Sequence, residues 1–200
     1  MHSAIQHFRA NISRVRALGG LYNAITQMTT QVVDASDLLR AQIVMAVSAL
    51  DHYIHEITRI GMIEAYNGNR PQTDAFLRFQ VTMEGAITGL TSGGVSSWFE
   101  AEIRERHSYL AFQHPDRIAD AIRLFSSSDL WQSVSTILGL PKQDLKNHLR
   151  LIVERRNKIV HEADLDPSFP GTRWPIYPAD AANATDFIEQ LCEAIHSVII

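Results

Sequence analysis

The sequence predicts an all-α chain built as a helical bundle. Nearly every segment repeats its apolar residues at three- and four-residue spacing, and no run of four or more residues alternates apolar and polar between turns. Ile5, Phe8, Ile12, Val15 and Leu18 set a first helix, and Gly19-Gly20 reads as its stop. A short second helix is expected over 21–33. Ser36 or Asp37 can cap a long helix to about Tyr66, closed by Asn67-Gly68-Asn69-Arg70-Pro71. Its stripe is Leu39, Ile43, Val47, Leu50, Ile54 and Ile57, with further apolar residues around the circumference, as in a central, well-covered helix. Further helices are expected over 73–90, ended by Gly89 and Ser92-Gly93-Gly94, and over 96–112. Pro115 suits the first turn of a helix to about Phe125. Asp129 starts a short helix ended by Gly139, and Pro141 opens a helix to about Glu162. The four prolines between Asp164 and Pro178 make 164–178 a loop, and a last helix over 179–199 should dock through Phe187, Leu191, Ile195 and Val198. No internal repeat is visible, and 1–200 reads as a single domain.

Composition narrows the class. At 200 residues, with 46% hydrophobic and 20% charged, the chain can bury about 70% of its surface and needs no staples. Cys192 is the only cysteine, so an internal disulfide and a cysteine-based zinc cluster are excluded. A net charge of -4 excludes a uniformly basic nucleic-acid coat but not a local basic patch. The longest wholly apolar run, Ile43 to Val47, is far short of the roughly 20 residues of a membrane span. The first thirty-three residues lack Asp and Glu and carry Arg9, Arg14 and Arg16, a composition that transit peptides share. Their helical periodicity favours a structural helix. A lone cysteine fits a reducing compartment, and a cytoplasmic location is expected.

The helix 141–162 carries the chemical signal. At roughly 100° per residue, Leu145, Leu149, Ile152, Val153, Ile159 and Val160 share one face. Arg156 lies in its middle. A buried unpaired charge is expensive, so this guanidinium must find an acid, a phosphate or water at a subunit boundary. Arg156 and His161 stand roughly 140° apart on an ideal helix, whereas Asn157 and His161, at i and i+4, share a face. A joint site therefore needs a distorted helix end or two subunits.

Arg155-Arg156-Asn157-Lys158-Ile159-Val160-His161-Glu162 resembles the HEPN superfamily, whose active members carry Arg, a polar residue, three variable residues and His. Arg156, Asn157 and His161 match that pattern. Leu39-Arg40-Ala41-Gln42-Ile43-Val44, Ser48 to Glu56 and Asp129-Leu130-Trp131 are similar, in the same order, to the RiboL-PSP-type HEPN branch, so the resemblance covers roughly 36–166. It implies a HEPN-like bundle with additional helices that forms a homodimer with both motifs in one cleft. It also implies metal-independent endoribonuclease activity without a cofactor, often in toxin or antiphage systems that include an antitoxin or companion protein. The residue types suit that chemistry. His161 can move the protons of 2′-hydroxyl attack, Arg156 can clamp the phosphate, and Asn157 can position either.

Other residues carry weaker expectations. Asp51, His55 and Glu56 are read as supporting groups that hold Arg156 or orient His161. A metal there is not expected, because the order departs from His-Glu-x-x-His. Lys142, Lys146, Arg150 and Lys158 are candidates to track an RNA backbone, although a solvated face explains the excess equally, with Arg155 and Lys158 pointing away from the apolar side. Trp174 and Tyr177 are read as packing over the bundle, and Gly93-Gly94 lacks the Lys and Ser/Thr of a phosphate loop. The competing class is a non-catalytic module that binds RNA, a nucleotide or a partner protein. In that class Arg156 pairs with Asp51 or Glu56, and His161 merely caps a helix.

Overall fold

The structure is a computed structural model and describes residues 1–30, 33–91 and 93–200. Among the described residues there are nine helices and no strand: α1 (His2–Met28), α2 (Ser36–Tyr66), α3 (Asp74–Leu77), α4 (Met83–Thr91), α5 (Ser97–His107), α6 (Pro115–Arg123), α7 (Leu130–Leu138), α8 (Lys142–His161) and α9 (Pro178–Ile199). The all-α expectation holds. Among the described residues, an isolated bridge between Leu165 and Arg173 is the extent of β pairing. No described helix is long and apolar enough to cross a membrane.

The central helix is α2. Leu39, Ile43, Val47, Leu50, Ile54 and Ile57 are all buried, with α1, α8 and α9 packed around them. The α9 helix docks through buried Phe187, Leu191 and Ile195 and carries Cys192, whose thiol burial pushes upward in pKa. A satellite cluster of Met62, Phe99 and Ile103, flanked by Tyr66, Phe76, Phe79 and Trp98, holds α3 and α5 against the end of α2.

Three boundaries differ from expectation, each through a tertiary contact. The α1 helix runs through Gly19-Gly20 without stopping. A Cβ at Gly19 would lie 2.9 Å from Gln42 Oε1, so this glycine admits α2 rather than ending α1. Gln42 in turn donates to Thr185 Oγ1 on α9 at 3.1 Å. The expected second helix is thus largely the end of α1; its positions 31–32 lie outside the described residues, as does Ser92 of the Ser92-Gly93-Gly94 stop. The expected helix 73–90 is broken into α3 and α4. Buried Glu102 of α5 accepts the Thr82 amide at 2.8 Å and the Thr82 hydroxyl, which leaves the Thr82 oxygen to accept from the Gly85 amide at 2.9 Å. The expected helix 96–112 ends at His107, because the chain turns to bring the Phe112 amide 2.5 Å from Asp51 Oδ1. The expected side-chain cap of α2 is absent: Ala35 precedes the first turn without a side-chain bond, and Ser36 Oγ accepts from Arg40 instead. At α7 the local signals suffice. Asp129 caps α7 through the Gln132 amide, and Gly139 closes it with φ +66°.

Two glycines separate propensity from packing. A Cβ at Gly61 would overlap the buried Phe125 ring, whereas one at Gly20 meets nothing within 4 Å. Alanine gains roughly 1 kcal/mol of helix propensity at either site. At Gly61 the overpacking of about 1–3 kcal/mol outweighs that gain. In urea unfolding, Gly61→Ala should lower the midpoint, and Gly20→Ala should raise it by the equivalent of about 0.5–1 kcal/mol.

Candidate functional site

The packed face of α8 is partly as expected. Leu145, Leu149, Ile152 and Val153 are buried and Ile159 is partly so, but Val160, one residue before the end of the helix, is 46% exposed. Arg156 sits part-buried on this face. Its Nε is buried without a hydrogen-bond partner, and its Nη1 donates to Asn157 Oδ1 at 3.1 Å. Among the described residues no carboxylate lies within ion-pair distance of Arg156.

The residues expected to support it are engaged elsewhere. Asp51 accepts the Phe112 amide and lies 3.9 Å from His55 Nε2, which in turn sits 3.2 Å from the Leu110 carbonyl oxygen. Glu56 is held by Arg59 at 2.8 Å and approached by Arg104 at 3.8 Å; the Arg59 hydrogen bond, ahead of the nearby positive charge, keeps its carboxyl below the usual range. None of the three bonds to Arg156, Asn157 or His161 within one chain. The pairing of Arg156 with Asp51 or Glu56 is therefore not formed. His55 instead stands 6.3 Å from the ring of buried His107, which burial first, and His55 second, push down to about 4.

The outward, solvated placement of Arg155 is corrected too. Its Nη2 donates to Asp164 Oδ2 at 2.9 Å and to the Pro175 carbonyl at 3.1 Å. Asp164 is wholly buried, and the same oxygen accepts Arg40 Nε from α2 at 2.8 Å. Arg40 also donates to Ser36 Oγ at 2.7 Å and to the Trp174 carbonyl at 2.9 Å. Sequence reasoning missed this cluster. The available signal was Arg40 itself, a cation beside the apolar stripe of α2 just as Arg156 is on α8. Ala163 (φ 51°) and Asp164 (φ 59°) both take the left-handed region, and the Asp164 amide returns to the Lys158 carbonyl at 3.0 Å. The α8 helix stops at once, leaving exposed His161 as its last residue. Lys158 lies over the part-buried Trp174 ring at 5.6 Å, whereas Tyr177 is exposed and opens α9.

The expected RNA-tracking residues divide. Lys142 pairs with Asp129 at 3.3 Å, while Lys146 and Arg150 reach Asp116 at 2.8 and 3.7 Å. They occupy the other half of α8, with Lys146 roughly 22 Å along the axis from His161. Lys142 and Lys146 help line a cleft of about 1070 Å³ with Arg78, Arg123 and Trp131. Lys158 alone of the four adjoins the motif.

The helix is regular through His161, so the 140° separation stands. Arg156 faces the body of the protein. His161 faces out and has no hydrogen-bond partner among the described residues. Asn157 links them, touching Arg156 and sharing a face with His161. Among the described residues, no three His, Cys, Asp or Glu side chains converge in a metal-holding group.

Two stability measurements probe these contacts. Removing the carboxylate from a buried pair leaves uncompensated charge, so Asp164→Ala should cost about 3–5 kcal/mol in denaturant unfolding, and Arg155→Ala, whose side chain is 25% exposed, clearly less. His107 supplies a pH test. Above its ordinary value of 6.5 the ring is neutral folded or unfolded; between 6.5 and about 4 only the unfolded chain takes the proton. Stability should therefore fall as pH drops through that window, by roughly 3 kcal/mol in total, and His107→Leu should flatten the decline.

A protein-family model described as RiboL-PSP-HEPN matches residues 9–200, a span that includes α2, α8 and the loop carrying Asp164. Comparison with curated proteins and with solved structures finds no match.

Proposed function

The chain belongs to the RiboL-PSP-HEPN family, and from that premise we propose that it is a metal-independent endoribonuclease, acting as a homodimer in which the Arg156, Asn157 and His161 groups of two copies meet. One observation carries the reading. Arg156 stands on the packed side of α8 with a buried, unpartnered Nε and, among the described residues, no carboxylate within ion-pair distance. A part-buried guanidinium with one covered, unpartnered nitrogen gains from an anion, and a phosphodiester supplies one in a geometry that guanidinium matches.

In this reading His161 takes the proton from a ribose 2′-hydroxyl. The 2′-oxygen forms a bond to the adjacent phosphorus as the bond to the 5′-oxygen breaks. An imidazolium then protonates that leaving oxygen, giving a 2′,3′-cyclic phosphate and a 5′-hydroxyl. Imidazole suits both transfers near neutrality. Arg156 neutralises charge on the phosphoryl oxygens, and Asn157 sets the direction of both neighbours. Apposing two α8 ends places the Arg156 of one copy against the His161 of the other, which the 140° separation denies to a single straight helix. Lys158 adds charge at the rim. Lys142, Lys146 and Arg150 extend the path once phosphates compete with Asp116 and Asp129. Asp51, His55 and Glu56 act by fixing α2 beneath the site. The role is that of a cytoplasmic toxin or antiphage nuclease restrained by a companion protein.

The separation of Arg156 from His161 within a chain also favours a second reading, a non-catalytic module that grips RNA, a nucleotide or a partner through Arg156. Two experiments decide. Purified protein incubated with mixed RNAs in EDTA should yield cyclic-phosphate ends and leave DNA intact, and His161→Ala should lower the rate roughly 10²–10⁴-fold. Equal cleavage by wild type and His161→Ala would replace the nuclease with the binding module. Light scattering at concentrations on the order of tens of micromolar should give the mass of two copies; a monomer at that concentration overturns the shared cleft.

A further inference from the structure

The turn after α5 and the inner face of α6 enclose a second place where polar chemistry is left open. A pocket of about 450 Å³ is walled by His107, Leu110 and Phe112, with exposed Tyr109, Arg117 and Asp120 at its edge. Mostly apolar walls, a few polar groups and a volume in the hundreds of cubic ångströms are the usual features of a small-molecule site. His107 is the unusual wall. It is 6% exposed, stands edge-on to Phe79 and Phe112 at 5.9 and 5.3 Å, and its ring has no hydrogen-bond partner among the described residues. It also lines the adjoining pocket of about 220 Å³ beside His52 and Glu56. Its ring carbons are covered, but its nitrogens are not among the fully enclosed, unpartnered polar atoms of the described residues, so they open onto the pocket space, where a ligand can meet them.

The surroundings say what would satisfy it. An imidazole kept neutral presents one N–H donor and one acceptor. A plain aromatic ligand would fill the apolar walls and leave both unmet. A nucleobase fills the same walls and brings acceptors and donors along its edge. Tyr109, 76% exposed, offers an unobstructed ring face for stacking. Asp120 is taken by Arg123, but Arg117 makes no ion pair among the described residues and is free to meet a phosphate. We propose that this pocket binds a nucleobase, hydrogen-bonded at its edge by His107 and stacked on Tyr109, with Arg117 receiving an attached phosphate. The base belongs either to a free nucleotide or to a single-stranded RNA. The proposal uses no residue of α8 and stands apart from the cleavage reading.

The test is calorimetric titration of the full chain carrying His161→Ala, which keeps RNA intact. The probes are the four nucleoside 5′-monophosphates, their nucleosides, indole, and a 2′-O-methyl tetranucleotide. At least one nucleotide should bind, indole should bind more weakly, and Tyr109→Ala should weaken the nucleotide roughly 10-fold or more. Arg117→Ala should weaken the monophosphate but not the nucleoside. His107→Phe should lose binding with a retained cooperative melt; should it fail to fold, the two exposed-site variants decide. Tighter binding of the tetranucleotide than of any monophosphate identifies a strand as the source, and the reverse identifies a free nucleotide. The proposal is overturned if no nucleotide binds at millimolar concentration, if Tyr109→Ala and Arg117→Ala change nothing, or if indole binds as well as the nucleotides. Cleavage by the unmodified chain is measured separately, so loss of one reading leaves the other standing.

Discussion

Asp164 lies wholly buried between two guanidinium groups from different helices, Arg40 of α2 and Arg155 of α8. Its side chain ties the central helix to the motif helix, its amide closes α8 onto the Lys158 carbonyl, and its carbonyl accepts the Trp174 amide at 2.8 Å, which anchors the proline-rich loop. Ion pairs in the interior lose hydration that attraction only partly restores, so such a contact acts more as a constraint on geometry than as a store of stability. The constraint here is positional. With Ala163 and Asp164 both left-handed, the helix stops at His161 and the imidazole is left at an open end. Asp37 also lies 3.7 Å from Arg40 and pairs with Arg173, so two carboxylates face three arginines beside Lys158 and Arg156, and local positive charge remains.

Much of this fold was legible from local patterns. The stripe of α2, the Asp129 cap and Gly139 stop of α7, and the extent of α8 and α9 depend on neighbours within a turn or two, and the spacing records them. The misread boundaries depend on residues distant in the chain. Gly19-Gly20 looks like a helix stop until Gln42 is seen against it, and the break before α4 is set by Glu102, twenty residues beyond Thr82. The Arg40–Asp164 contact joins residues 124 positions apart.

The candidate site was legible in the same uneven way. A cation on an apolar stripe is visible to anyone counting by threes and fours, and Arg156 indeed has no acid. The support expected from Asp51, His55 and Glu56 required knowing how α2 is rotated about its axis, and that angle is fixed by packing on all sides. Their bonds lead to the α5–α6 turn and to Arg59 and Arg104. Arg156 meanwhile faces inward and His161 outward, so the two ends of the motif address different surroundings, one set by the protein body and one by whatever approaches the open end of α8.

Cys192 is the only sulfhydryl in the chain and is fully covered by the core between α2 and α9. Its thiolate is disfavoured by that covering, and reagents reach it only when α9 parts from its neighbours. Alkylation of the native protein therefore counts excursions that lift α9 from the core. The molecule carries its own chronometer of α9 undocking, readable by mass spectrometry with no added label.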